Sequence, residues 1–180
     1  MDDSNFYDFD YHTKFIQDLK SELTVSDDVF VNHHKRTHSH IYPFWVIIEV
    51  TTFGVLSKLF KNMLPDDRTY ISKHYYGVHR EYIENWLQCS VLARNIAAHG
   101  GRFYNRQLYS CPVKFDRALQ GKIFPVRPFA FIFAINKLLP DESYKASLSD
   151  ELSALFSLYP LVQKNHLGFP EDWIDILENA

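Results

Sequence analysis

The segment from His79 to His99 narrows the possible folds more than any other part of this chain. Tyr82, Ile83, Trp86, Leu87, Ser90 and Ala97 recur there at helical spacing and mark the packed side of one long helix. Arg94, Asn95 and His99 fall in its last turns. Gly100 and Gly101 come next, and each weakens helix propagation by about 1 kcal/mol relative to alanine. The helix therefore stops or bends at that point.

The rest of the chain reads the same way. Asp8 or Asp10 caps a helix to about Thr24, with Phe15, Ile16, Leu19 and Leu23 as its apolar stripe. A short helix is predicted over Asp28–Lys35, followed by a polar loop from His33 to His40. Pro43 suits the first turn of a long helix reaching about Asn62. Its face is Trp45, Ile48, Thr52, Val55, Leu56, Leu59 and Phe60, interrupted by Glu49 and Gly54. Pro65-Asp66-Asp67 opens a helix ending near Tyr76, with Gly77 just beyond it. Further helices are predicted at about Phe115–Leu119, Pro128–Leu139, Ser149–Tyr159 and Glu171–Glu178, punctuated by prolines 125, 128, 140, 160 and 170. No strand alternation stands out. The expected class is all-α, an antiparallel helical bundle with additional C-terminal helices, in a single domain over 1–180.

Composition excludes several classes. An apolar fraction of 46% and an aromatic fraction of 16% give a globular chain rather than a disordered one. Two cysteines, Cys89 and Cys111, make no disulfide framework, so a reduced, cytoplasmic setting is expected. The acidic start lacks the apolar core of a signal peptide. The longest apolar runs fall far short of a membrane span, and no membrane partner is expected.

The net charge of −3 argues against general coating of nucleic acid. Its distribution says more. From Arg94 to Arg127 seven basic residues face one acid, Asp116, a local excess of +6 on a body carrying −9. That arrangement fits a defined phosphate site better than a uniform basic coat, although a solvated basic face is the simpler alternative. Arg102, Asn105, Arg106, Lys114 and Arg117 are the expected phosphate contacts.

Within this stretch the chemistry concentrates at Arg94-Asn95-Ile96-Ala97-Ala98-His99. Histidine moves protons near neutral pH, and arginine stays charged. Asn95 and His99 lie four apart, on one helix face. If the helix continued, Arg102 and Arg106 would extend that stripe. The neighbouring Ala97, Ala98, Gly100 and Gly101 would let a substrate or a second chain approach. Such a set can act on a phosphodiester without a metal or cofactor. From spacing alone, local capping and pairing of Arg94 and Asn95 explain the residues equally well. Glu49 reads as a buried acid with a structural partner. The cluster of His33, His34, His38 and His40 suggests a metal site, but it has no cysteine among it and is not taken as one. Phe129, Phe131, Phe133 and Trp173 read as core.

The run Arg94-Asn95 through His99, Arg102, Tyr104-Asn105-Arg106 resembles the signature of abortive-infection proteins of the AbiD/AbiF type, within the HEPN superfamily of helical RNases with an Arg-x4-His motif. Phe6-Tyr7-Asp8-Phe9-Asp10-Tyr11-His12, the Trp45…Glu49…Phe53-Gly54-Val55-Leu56-Ser57 block and Leu167-Gly168-Phe169-Pro170…Trp173 resemble further blocks of that family. The resemblance implies metal-independent RNA cleavage by a homodimer in phage defence. His99 would move the 2′-hydroxyl proton, Arg94 would stabilise phosphoryl charge, and Asn95 would orient the imidazole or hold a phosphate oxygen. It also implies an antitoxin, or a guide-like RNA or protein, as a further partner. Family members usually begin with a longer N-terminal region, so the chain is expected to be a short branch, a truncated form or a fragment. The alternative is a helical module that binds RNA or protein without cutting.

Overall fold

The computed structural model describes residues 2–179. The chain is all-α, and no strand forms among the described residues. Ten α-helices occur in the order α1 (Phe9–Val25), α2 (Val29–Thr37), α3 (Phe44–Val50), α4 (Phe53–Asn62), α5 (Pro65–Tyr76), α6 (Arg80–Ala98), α7 (Pro128–Leu138), α8 (Glu142–Leu158), α9 (Lys164–Leu167) and α10 (Trp173–Glu178). None is long and apolar enough to cross a membrane. The chain packs as two compact units, residues 1–69 and 70–180, with the boundary falling inside α5.

In the first unit, Asp8 caps α1 by accepting from the Tyr11 amide at 3.0 Å. Phe15, Leu19 and Leu23 are buried along its stripe and meet Val31 of α2 and Val46 of α3. Asn62, 4% exposed, closes this unit. Its side-chain oxygen accepts from the Asp8 amide at 3.2 Å, and its carbonyl accepts from the Tyr7 amide at 2.8 Å. Buried polar groups of this kind must be paired to be tolerated.

The single helix expected from Pro43 to Asn62 is two helices. Thr51 turns its hydroxyl back to donate to the Ile47 carbonyl. Thr52 adopts extended backbone and caps α4 by accepting from the Val55 amide at 3.3 Å. Two adjacent threonines offer the backbone an alternative to continuing the helix, and here the alternative wins. The expected loop from His33 also begins later, because α2 runs on to Thr37. Glu49 is exposed, so it is not the buried acid expected. The rings of His33, His34 and His38 pack against one another with centroids 4.8–5.6 Å apart. Among the described residues no group of three His, Cys, Asp or Glu is placed to hold a metal ion.

In the second unit, α6 packs on α7. Ile83, Trp86, Cys89 and Ala93 of α6 are buried, as are Phe129, Phe131, Phe133 and Ala134 of α7. Trp86 meets Phe133 edge-on at 6.1 Å. α8 packs on α10 through Phe156 and Trp173, joined by Phe169 of the segment before α10, with ring centroids 5.0–5.9 Å apart. α8 starts earlier than the apolar pattern suggests, because Asp141 caps it by accepting from the Ser143 amide at 2.7 Å. The helix expected at Phe115–Leu119 is only a 3-10 turn over Arg117–Leu119. The segment between α6 and α7 is otherwise a long irregular loop.

Candidate functional site

Arg94, Asn95 and His99 lie where α6 ends. His99 is the C-cap residue, and its amide donates to the Asn95 carbonyl at 3.1 Å. Gly100 follows with φ +64°, a left-handed conformation that glycine adopts without steric cost. Gly101 then donates its amide to the Ile96 carbonyl at 2.8 Å and closes the helix end. A Cβ on Gly101 would stand 2.9 Å from that same carbonyl oxygen, so only glycine fits this close return of the chain. The helix stops, and the extended stripe from Asn95 through Arg106 does not form.

Arg94, Asn95 and His99 are all exposed. Ala97 and Ala98 are exposed as well, so Ala97 is not on the packed side as expected. Arg94 Nη1 donates to Asn95 Oδ1 at 3.1 Å. On an α-helix Arg94 and His99 are about 140° apart, yet the length of the arginine brings its guanidinium to Asn95, on the histidine's side. The chain thus offers a fixed positive charge, a carboxamide and an imidazole on one open helix end.

The residues after His99 form a second cluster. Arg106 donates to the Arg102 carbonyl at 3.4 Å. Asn105 sits at φ +53° and accepts from Arg127 Nη1 at 3.0 Å. Tyr104 Oη lies 2.9 Å from His166 Nδ1 and accepts from the Gln163 amide at 3.4 Å. Arg127 also donates to the His166 carbonyl at 3.4 Å. Sequence reasoning missed Gln163, His166 and the role of Arg127. The only local signal was the Leu167-Gly168-Phe169-Pro170 block beside them.

Lys114 belongs elsewhere. Its Nζ pairs with Glu81 Oε2 at 3.5 Å, near the opposite end of α6. Eighteen residue steps lead from Glu81 to His99, about 27 Å along the axis. The +6 stretch is therefore not one patch. Arg102, Asn105 and Arg106 follow directly on the His99 end, and Lys114 marks the other.

Between these ends the loop is pinned to α6. Asn85 donates to the Pro112 carbonyl at 3.0 Å and accepts from the Lys114 amide at 2.7 Å. Trp86 donates its indole N–H to the Lys114 carbonyl at 2.7 Å. Cys89 and Cys111 are buried with their sulfurs 2.6 Å apart, both as free thiols. The hydrogen bond to Cys111, and then burial, push the Cys89 thiol above its ordinary range.

The model of a protein family described as Abi-like protein matches residues 1–105, which span α1 to α6 and the following loop as far as Asn105. Neither a curated protein nor a solved structure matches the chain. The Leu167–Trp173 block lies outside the matched region. The matched region holds Arg94, Asn95, His99, Arg102 and Asn105 and covers more than half of the 180 residues. On that extent, the chain belongs to the Abi-like protein family.

Proposed function

We propose that this protein is a metal-independent endoribonuclease of abortive infection, of the AbiD/AbiF type within the HEPN superfamily, acting on RNA in the cytoplasm. The observation that carries this reading is the exposed Arg94–Asn95–His99 end of α6, inside the family-matched residues. His99 takes the proton of a 2′-hydroxyl, which attacks the adjacent phosphorus. The P–O5′ bond breaks, leaving a 2′,3′-cyclic phosphate and a 5′-hydroxyl. Arg94 stabilises charge on the non-bridging oxygens, and Asn95 holds the imidazole or a phosphate oxygen.

One α6 supplies one histidine, whereas proton removal and leaving-group protonation are two tasks. Two copies about a twofold axis supply both, with the exposed Ala97 and Ala98 allowing close approach. A homodimer is therefore part of the proposal, with an antitoxin or a guide-like RNA or protein as a further partner. The Arg94–Asn95 hydrogen bond also suits a second reading, a module that binds RNA or protein without cutting.

The test is an RNA cleavage assay with and without EDTA. Wild-type protein is expected to cut in both conditions and to leave cyclic-phosphate ends. His99→Ala and Arg94→Ala are each expected to cost about 10²- to 10⁴-fold in rate without unfolding the chain. Full activity of His99→Ala, or loss of cutting by EDTA alone, overturns the mechanism. A wild-type chain that binds RNA and cuts none of it supports the second reading.

A further inference from the structure

Helical geometry places Glu81, Asn85, Gln88, Leu92, Asn95 and His99 within an arc of about 80° around α6. The first half of that stripe forms one wall of a groove of ≈ 930 Å³, whose other wall is the loop through Ser110, Lys114 and Phe115. This size lies within the range of small-molecule and cofactor sites. The loop wall is fixed in place. Asn85 and Trp86 hold its backbone, Val113 donates to the Pro125 carbonyl at 2.9 Å, and Val113 and Ile123 are buried beneath it.

The lining is chemically mixed. Tyr82 and Phe115 present half-buried aromatic rings, while Gln88, Ser110 and Gln120 offer neutral donors and acceptors. Charge inside is close to balanced, because Lys114 faces Glu81, and both side chains are more than half exposed. Exposed pairs of this kind hold weakly, so a phosphate can take Lys114 from Glu81. Arg117 is exposed in the 3-10 turn that follows Phe115. The edge carries Lys114 beside Glu81 and Arg117 beside Asp116, which accepts from Tyr82 Oη at 3.4 Å; a partly aromatic interior with cations available at its edge suits bases inside and phosphates outside, the pattern of single-stranded nucleic acid sites.

We infer that this groove takes bases of a single-stranded RNA whose strand runs along the α6 stripe to His99. The inference rests on the reading of His99 as part of an RNA site. From Gln88 to His99 is about 16 Å along the helix, a reach of about five nucleotides at stacked spacing and fewer if the strand is extended. The groove would then select the sequence on one side of the cut.

A short 2′-O-methyl oligonucleotide carrying 4-thiouridine tests this with the full chain, because it cannot be cut by 2′-oxygen attack. Photo-crosslinks are expected at Tyr82 or Phe115. Ser110→Trp, at an exposed position, should fill the groove, remove those crosslinks and weaken binding by about tenfold, the equivalent of about one stacked base. Tyr82→Ala should weaken binding similarly. Crosslinks confined to other residues, or unchanged affinity in a folded Ser110→Trp protein, overturn the groove assignment. Loss of self-association in Ser110→Trp with RNA affinity unchanged also overturns it and assigns the groove to a second copy. Because no cleavage is read, failure of the nuclease assay leaves this result standing on its own.

Discussion

Gly121 and Gly168 share a left-handed backbone, φ +85° and +80°, but not their surroundings. A Cβ on Gly121 would meet open space, whereas one on Gly168 would stand 2.5 Å from Arg127 Cβ. Gly121→Ala should cost about 1–2 kcal/mol, the strain of an L-residue in that conformation. Gly168→Ala should cost clearly more, because it must also displace the arginine that holds Asn105 and the His166 carbonyl. Urea unfolding of the two variants measures the difference, and equal losses would mean that Arg127 moves aside freely. At this scale the sequence was partly legible. Gly100 marked a place where α6 stops or bends, because glycine after a periodic run has a local physical meaning, and the stop itself is seen only in the left-handed turn there. The Tyr104–His166 contact had no such signal, because the two residues lie 62 apart and neither sits in a periodic pattern.

Helix ends are decided by a few side-chain oxygens, and the break between α3 and α4 is the sharpest case. The apolar pattern from Trp45 to Phe60 passes through Thr51 and Thr52 almost without interruption, so periodicity alone predicts one helix. Thr52→Ala removes the cap on the Val55 amide and should cost about 1 kcal/mol, read as a lower urea midpoint with an unchanged slope. No change would mean that packing of Val46 and Phe60 sets the break by itself. The same competition explains why α1 and α6 were readable. Asp8 caps α1 and His79 caps α6, so cap and apolar stripe agree at both starts. At α8 the cap Asp141 comes well before the buried Ser149, and the apolar pattern marked the later residue.

Across the whole molecule, charge was legible as a sum and not as a layout. The +6 between Arg94 and Arg127 is divided by the length of α6, a division visible only once Lys114 is found opposite Glu81. Arg102→Ala should therefore lower the slope of log affinity for RNA against log salt by about one if it contacts a phosphate. An unchanged slope would place the strand away from the His99 end. Stability, too, is unevenly spread through a fold, and the sulfur pair between α6 and its loop gives a way to watch this. Cys89 and Cys111 are both buried, so they meet an alkylating reagent only when the loop lifts from the helix. The alkylation rate is then a clock for local opening. Asn85→Ala deletes two hydrogen bonds worth about 1 kcal/mol each, so it should speed that clock by roughly thirtyfold; global unfolding breaks the same two bonds, and its free energy should fall by a similar amount. A native protein thus carries two thiols that time the opening of its basic loop without any added probe on the surface.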